Sequence, residues 1–230
     1  FELISKAREL VSKGEREVVA LFPCFRDMKL ASGLIDAGAD RAIVAKDPVF
    51  DTYETGYYAS AVSGMARHLL PDVLLFGATP LGRDLAPRVA NRLATGLTAD
   101  CTALEFDEEG NLLLQTRPAF GGNVMATIVC PKHRPQMATV RPGAMPLSAA
   151  KKSRLAGKIE FFDAKISPVD AISRILDITR KDAVEAGLES AKIVVSGGRG
   201  MKGPEGFEIL KELACLIGAK LGASRAAVDS

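Results

Sequence analysis

Val73–Leu93 reads VLLFGATPLGRDLAPRVANRL, and this stretch decides the fold class. Its first residues are all apolar, which suits a strand buried on both faces, and the glycine-containing turn after them leads into a run with helical spacing. A buried strand, a short turn and a helix make up half of a βαβ unit. In such units the sheet is parallel and helices cover it.

The same alternation of strand and helix fills the segment before this stretch. Short apolar runs predict strands at Glu17–Phe22 and Arg41–Lys46, while helical spacing predicts helices at Phe1–Lys13, Leu30–Ala37 and Tyr53–Leu70. We therefore predict an α/β fold, with a three-layer, mostly parallel sheet that carries helices on both faces.

The middle of the chain changes character, because strand-like runs follow one another there with few helices between them. Strands are predicted at Thr98–Phe106, Leu112–Arg117, Val124–Cys130 and Gln136–Arg141. The residues DEEGN at Asp107–Asn111 are typical of a hairpin turn. The fold is therefore expected to gain some antiparallel strands, and the polar Lys151–Arg154 segment is interpreted as a solvated linker.

The C-terminal residues are predicted to start a second structural unit. Lys192–Ser196 predicts a buried strand, Gly197–Gly200 a glycine-rich turn, Pro204–Leu221 a helix and Ala223–Val228 the next strand. A single βαβ unit is too small to be a domain. We therefore predict an N-terminal α/β domain over residues 1–190 and the incomplete start of a second α/β domain over residues 191–230.

Composition and charge argue against several classes of protein. The 30 basic and 28 acidic residues nearly cancel, and there is no Trp, so neither nucleic acid nor a membrane surface is an expected partner. No apolar run approaches the roughly 20 residues of a membrane span. The four cysteines form no CxxC pair and the only histidines are His68 and His133, which argues against a metal site and favours a reducing compartment.

Two segments of the N-terminal part could carry a binding site. Gly77–Asp84 follows a predicted parallel strand, where open α/β sheets bind ligands and where the amides of a helix start could hold an anion. The alternative, which composition favours, is a tight turn between strand and helix, with Asp84 stabilising the start of the helix. Arg117–Asn123 contains two adjacent glycines that permit close approach to the backbone, or simply a bend between strands.

Two further segments lie in the C-terminal part. Ser196–Gly203 reads SGGRGMKG, and a strand, glycines and a helix start can cradle a pyrophosphate, with Arg199 and Lys202 adding positive charge. It does not spell the G-x-G-x-x-G fingerprint, so a plain turn stays open. Gly222–Arg225 is predicted to open the next strand, where Arg225 could stack on a ring or form a surface salt bridge.

Five segments occur together in an order typical of one family. They are GATPLGRDLAPRVANRLATGLTADCTAL (Gly77–Leu104), RPAFGGN (Arg117–Asn123), QMATVRPG (Gln136–Gly143), VVSGGRGMKGPEGF (Val194–Phe207) and GASRAAVDS (Gly222–Ser230). They closely resemble the α subunit of electron-transfer flavoproteins, and the resemblance covers nearly the whole chain.

The resemblance implies an N-terminal domain that pairs with the β subunit and a C-terminal domain that binds FAD. Such a protein accepts electrons from dehydrogenases, often acyl-CoA dehydrogenases, and passes them on, so it is an electron carrier without substrate chemistry of its own; some members bifurcate electrons. The resemblance places Gly198, Arg199 and Gly200 in the FAD loop. It places Ser224 and Arg225 at the flavin, where the arginine favours the reduced anionic forms.

The family continues past GASRAAVDS with most of its FAD contacts and begins with a strand before the first helix. The chain is therefore expected to be truncated at both ends and to bind FAD weakly or not at all by itself. A cytoplasmic location is expected in a bacterium or archaeon, and the mitochondrial matrix in a eukaryote. Two rivals stay open: an adenine-nucleotide sensor or hydrolase-like module acting through Gly77–Asp84, and a redox-inactive scaffold. No set of residues predicts acid–base, nucleophilic or metal catalysis.

Overall fold

The computed structural model describes residues 1–11, 16–107, 109, 111–145, 147, 157–171, 173–179, 187–188 and 191–229. The chain divides into two compact units, Phe1–Ile175 and Leu176–Ser230. The domain boundary near residue 190 stays a prediction, and the predicted linker Lys151–Arg154 lies outside the described residues.

The first unit alternates helices and strands before it turns to strands alone. Its helices are α1 (Glu2–Leu10), α2 (Met28–Asp36), α3 (Thr55–Leu69) and α4 (Pro80–Arg92). Its strands are β1 (Val19–Cys24), β2 (Arg41–Lys46), β3 (Val73–Gly77), β4 (Leu97–Cys101), β5 (Ala103–Phe106), β6 (Leu113–Ala119), β7 (Val124–Ile128), β8 (Gln136–Val140) and β9 (Lys158–Phe161). Short 3-10 turns lie at Pro48–Asp51, Phe120–Gly122 and Pro168–Asp170.

The second unit is a βαβ unit followed by one helical turn. It runs through β10 (Val194–Gly197), a 3-10 turn (Arg199–Met201), α5 (Pro204–Leu216), β11 (Lys220–Ala223) and α6 (Arg225–Val228). The strands β10 and β11 pair in parallel.

The predicted fold class is confirmed. Hydrogen bonding forms two parallel three-stranded sheets, β1-β2-β9 and β3-β8-β4, and one antiparallel sheet, β5-β6-β7. The predicted DEEGN turn joins β5 to β6, where the carboxylate of Asp107 accepts the amides of Asn111 and Leu112. Helices, parallel strands and a small antiparallel sheet therefore coexist in this unit.

The central strands are buried, as their apolar sequences require. Every residue of β8 is buried, and the polar Gln136 is tolerated there because its amide is paired. Its Oε1 accepts the amide of Leu113 at 2.8 Å, and its Nε2 donates to the carbonyl of Asn111 at 3.1 Å. Buried side chains of α3, including Val62 and Met65, pack into the main apolar cluster.

The single strand predicted over Thr98–Phe106 is wrong, since the structure breaks it at Thr102. Asp100 adopts a left-handed backbone conformation with φ of 62°, which turns the chain between β4 and β5. As a result β4 pairs with β8, whereas β5 pairs with β6. Asp is among the residues that tolerate this conformation best.

The end of the chain also differs from its prediction. The helix predicted to Leu221 stops at Leu216, where Gly218 with φ of 64° follows as a typical helix-ending glycine. The strand predicted over Ala223–Val228 is wrong, because β11 ends at Ala223 and Arg225–Val228 forms a helical turn. The carbonyl of Ser224 accepts the amides that close this turn.

Candidate functional site

Two loops of the second unit leave the same edge of its sheet. Gly197 and Ala223 are register partners at the carboxyl ends of β10 and β11, so the residues that follow each strand lie side by side. The amide of Ser224 donates a hydrogen bond of 2.9 Å to the carbonyl of Gly197, which ties the two loops together. This is the edge at which parallel sheets bind ligands.

The first of these loops is a tight turn that leads into α5. The amide of Met201 bonds to the carbonyl of Gly198 at 3.0 Å, and that of Lys202 to the carbonyl of Arg199 at 3.1 Å. Lys202 and Gly203 then take positive φ values of 61° and 153°, and α5 begins at the next residue. The turn therefore brings the start of α5 close to the strand end.

The glycines of this loop fall into two groups. A Cβ on Gly206 would lie 2.2 Å from the carbonyl oxygen of Met201, and one on Gly197 would lie 2.7 Å from a methyl of Leu210, so both glycines serve internal packing. A Cβ on Gly200 would meet nothing within 4 Å, and one on Gly198 would meet only Ser224 Oγ at 3.7 Å. The open space beside these two glycines is available to an external group.

Arg199, Arg225, Ala226 and Asp229 line an open concavity of about 490 Å³ at this edge. The structure thus brings together the predicted site residues of both loops. It corrects the setting of Arg225, which is the first residue of α6 and not of a strand. Its side chain is 93% exposed and its Nε donates to Asp229 Oδ2 at 3.0 Å.

Sequence reasoning missed Asp229 and Ala226 as lining residues. The separation of Arg225 and Asp229 by four positions would have predicted their ion pair, had this segment been assigned to a helix. The prediction of a strand concealed that signal, because residues four apart on a strand do not meet as they do on a helix.

The loop Gly77–Asp84 of the first unit is a tight turn. A Cβ on Gly82 would lie 1.8 Å from the carbonyl oxygen of Gly77, and Thr79 caps α4 by accepting the amide of Gly82. The carboxylate of Asp84 accepts the phenol of Tyr53 at 2.8 Å. Burial, together with this carboxylate, raises the pKa of Tyr53 to about 12.

A charged cluster lies near the carboxyl ends of β4 and β8, beside the first turn of α4. Asp100 Oδ2 accepts Arg141 at 2.6 Å, and Asp100 Oδ1 accepts Arg83 at 3.2 Å. The hydrogen bond from Arg141 holds the pKa of Asp100 below its ordinary value, and the positive charges of Arg83 and Arg117 act in the same direction. Burial raises the pKa of the neighbouring Cys101 thiol to about 11, which argues against a nucleophilic role.

Neither metal chemistry nor a membrane span has support in the described part of the chain. No group of three or more His, Cys, Asp or Glu side chains there could hold a metal ion. His68 instead packs against the ring of Phe162, with the ring centres 5.5 Å apart. No helix in the described ranges combines the length and apolar character needed to cross a membrane.

Comparison with protein families gives two matches. The model described as "Electron transfer flavoprotein domain" matches residues 1–167, and "Electron transfer flavoprotein FAD-binding domain" matches residues 187–230. The chain belongs to the electron transfer flavoprotein family. The second match contains all five predicted site residues of the glycine-rich edge.

Relatives of this electron transfer flavoprotein chain extend over its full length. "Electron transfer flavoprotein subunit alpha" of Thermoanaerobacterium thermosaccharolyticum is 51% identical over all of this chain, which covers 69% of that protein. The protein of the same name from Clostridium acetobutylicum is 42% identical, with 68% of it covered. "Acryloyl-CoA reductase electron transfer subunit beta" of Anaerotignum propionicum is 36% identical, with 70% of it covered. The predicted kinship with α subunits is confirmed.

Proposed function

We propose that this chain carries electrons through FAD as the α subunit of a two-subunit electron transfer flavoprotein. It accepts electrons from a flavin dehydrogenase, such as an acyl-CoA dehydrogenase, and passes them on. The observation that carries this proposal is the open glycine edge of the second unit, where two loops meet inside the segment that matches a FAD-binding domain.

The residues at this edge fit a large anionic cofactor. Gly198 and Gly200 leave space that a Cβ would otherwise occupy, and Arg199 offers positive charge to a pyrophosphate. Ser224 Oγ lies beside Gly198, within reach of a group entering that space. We assign FAD binding to these four residues and to Arg225.

Arg225 would tune the cofactor by its charge. FAD supplies the reversible uptake of electrons when it is bound. A guanidinium beside a ring that gains negative charge lowers the free energy of the reduced form, because the interaction is Coulombic and partly desolvated. The high exposure of Arg225 leaves its face available to such a ring, with Asp229 holding one edge.

The partner proteins follow from the same proposal. The names of the relatives, "subunit alpha" and "electron transfer subunit beta", describe proteins of several subunits, which supports a β subunit as partner here. The four free cysteines, Cys24, Cys101, Cys130 and Cys215, support a reducing compartment such as the cytoplasm. The near-neutral charge gives no support to a nucleic-acid partner.

The visible spectrum of the full-length protein purified with its β subunit tests the proposal. A yellow complex with flavin absorption bands that bleach on reduction is the expected result. A colourless complex that binds AMP or ATP alone would overturn the proposal in favour of an adenine-nucleotide module.

A further inference from the structure

Arg225 and Asp229 are joined twice on the short helix α6. The Nε of Arg225 donates to Asp229 Oδ2 at 3.0 Å, and the amide of Asp229 donates to the carbonyl of Arg225 at 3.0 Å. Both side chains line the concavity at the glycine-rich edge. Backbone and side-chain bonds therefore hold these two residues together, one helical turn apart.

The ion pair between them contributes little to stability. Its two side chains are 93% and 60% exposed, and exposed pairs four residues apart on a helix add little to the free energy of folding. The helical turn is closed in any case by the amides of Ala227 and Val228, which donate to the carbonyl of Ser224 at 2.9 and 3.2 Å. What the ion pair does fix is the orientation of the Arg225 guanidinium.

This contact leaves most of the Arg225 guanidinium available. Within the described part of the chain the side chain makes no other hydrogen bond or ion pair, so both terminal NH2 groups can bind a ligand. Because the side chain is so exposed, packing does not restrict it, and without Asp229 it would sample several rotamers. Asp229 therefore limits the directions in which the terminal NH2 groups point.

Arg199 offers a comparison within the same concavity. Among the residues that the structure describes, its guanidinium has no hydrogen-bond or ion-pair partner. The carboxylate of Asp229 weakens the positive potential around Arg225 and repels anions, whereas Arg199 keeps its full charge. A pyrophosphate is therefore attracted to Arg199, and Arg225 remains for a group that carries less negative charge, such as a ring.

We propose that Asp229 is a positioning residue that acts through Arg225: it accepts the Nε so that the terminal NH2 groups face the ring of bound FAD. This inference rests on the proposed function, because it takes FAD as the ligand of the concavity. The charge of Asp229 has a separate effect, since a carboxylate near a ring that gains negative charge raises the free energy of the reduced form. Asp229 therefore lowers the reduction potential by its charge and raises it by holding Arg225.

The reduction potential of FAD in the full-length complex with the β subunit distinguishes these two effects. Asp229→Asn removes the charge but keeps an oxygen that accepts the Nε, so the potential should rise above that of the wild type. Asp229→Ala removes the charge and the contact, so its potential should lie below that of Asp229→Asn, by at least about a twofold change in the one-electron equilibrium constant. Combined with Arg225→Ala, the two substitutions should give equal potentials, because no guanidinium is left to position.

Two further measurements complete the test. Glu212→Gln removes an exposed carboxylate near the far end of α5 and, as the matched control, should leave the potential unchanged. Hydrogen exchange of the Arg225 Nε–H, followed by NMR in the same complexes, reports the contact itself. This exchange should be faster in Asp229→Ala than in Asp229→Asn, where an acceptor remains.

The outcomes separate the inference from the function on which it rests. The expected order of potentials, with the difference lost in Arg225→Ala, supports the positioning role. Equal potentials or equal exchange in Asp229→Asn and Asp229→Ala overturn it, and so does a difference in potential that persists with Arg225→Ala. In each of these cases flavin absorption bands in the complex leave the proposed function intact, whereas a complex without them overturns the proposed function and the inference together.

Discussion

The carbonyl of Gly197 accepts the amide of Ser224, and this 2.9 Å bond joins the ends of two parallel strands at the glycine-rich edge. It fixes the loop that holds Arg199 beside the helical turn that holds Arg225. The two arginines therefore line one concavity although 26 positions separate them in the sequence.

Arg225→Ala should lower the reduction potential of the FAD-loaded, full-length complex. The guanidinium stabilises the reduced, negatively charged cofactor by about 1–3 kcal/mol, by analogy with partly buried cation–ring contacts. Since about 1.4 kcal/mol corresponds to about 59 mV for one electron, the potential should fall by tens of millivolts to just over a hundred. Spectroelectrochemical titration measures the change.

Two further variants in that titration distinguish the effect of the Arg225 guanidinium from the effect of any positive charge. Arg225→Lys keeps the charge but loses the planar face, so it should restore only part of the potential. Lys211→Ala removes an exposed cation from α5 and should leave the potential unchanged. Equal potentials in the wild type and Arg225→Ala would remove Arg225 from the flavin site.

Gly200→Ala and Gly206→Ala should have opposite effects. The methyl at Gly200 meets nothing within 4 Å in the chain, so stability should change by less than about 0.5 kcal/mol while FAD affinity falls. The methyl at Gly206 would lie 2.2 Å from the Met201 carbonyl, so this variant should lose about 1–3 kcal/mol of unfolding free energy. Denaturant unfolding and FAD titration of the full-length complex measure both quantities. Undiminished FAD affinity in Gly200→Ala would contradict the proposal that FAD occupies the open space beside Gly198 and Gly200.

Gly82→Ala should destabilise the first unit, because its Cβ would lie 1.8 Å from the carbonyl oxygen of Gly77. The backbone must shift to admit it, at a cost of about 1–3 kcal/mol. Gly96→Ala is the matched control, since a Cβ there meets nothing within 4 Å. Thermal unfolding of the two variants gives the comparison. Equal unfolding temperatures would show that the turn admits the extra methyl group without loss of stability.

Asp100→Asn should destabilise the protein at neutral pH but not in acid. Arg141 lowers the pKa of Asp100 in the folded state, so its stabilising effect is present above the unfolded pKa of about 3.9 and is lost as the pH falls through the lower, folded value. Because both arginine partners are about half exposed, the loss should be about 1 kcal/mol at most. Asn also tolerates the positive φ, which keeps the backbone comparable.

Denaturant unfolding of the wild type and Asp100→Asn across the acid range checks this. The two stability curves should converge as Asp100 becomes protonated. A difference that stays constant into acid would mean that Asp100 stabilises the chain by something other than its charge.

The sequence predicted those elements that are determined by the pattern of their own residues. The apolar run at Val73–Gly77 and the glycine-rich turn after β10 both lie where their patterns put them. The residues at Arg225–Val228 carry mixed helix and strand preferences, and in the helical turn that they form two amides donate to the Ser224 carbonyl. The irregular backbone at Asp100, near the end of β4, likewise involves Thr139, whose hydroxyl accepts the Asp100 amide from another strand.

Non-local partners also explain what sequence reasoning missed at the candidate sites. The ion pairs of Arg83 and Arg141 with Asp100 join three separate segments, and no regular spacing in the sequence predicts them. β9 was not predicted because its Lys158 and Glu160 break the apolar pattern, and its place follows from pairing with β2. Tertiary contacts and not local preference decide such features.

The parallel pairing of β2 with β9 sets an order of events during synthesis. Arg41 is the register partner of Lys158, so β2 leaves the ribosome more than a hundred residues before the strand that closes its far side. At about 5–20 residues per second this delay lasts roughly 6–23 s. During this delay the apolar residues of β2 lack β9 as a neighbouring strand. We expect a nascent chain in that state to bind ribosome-associated chaperones.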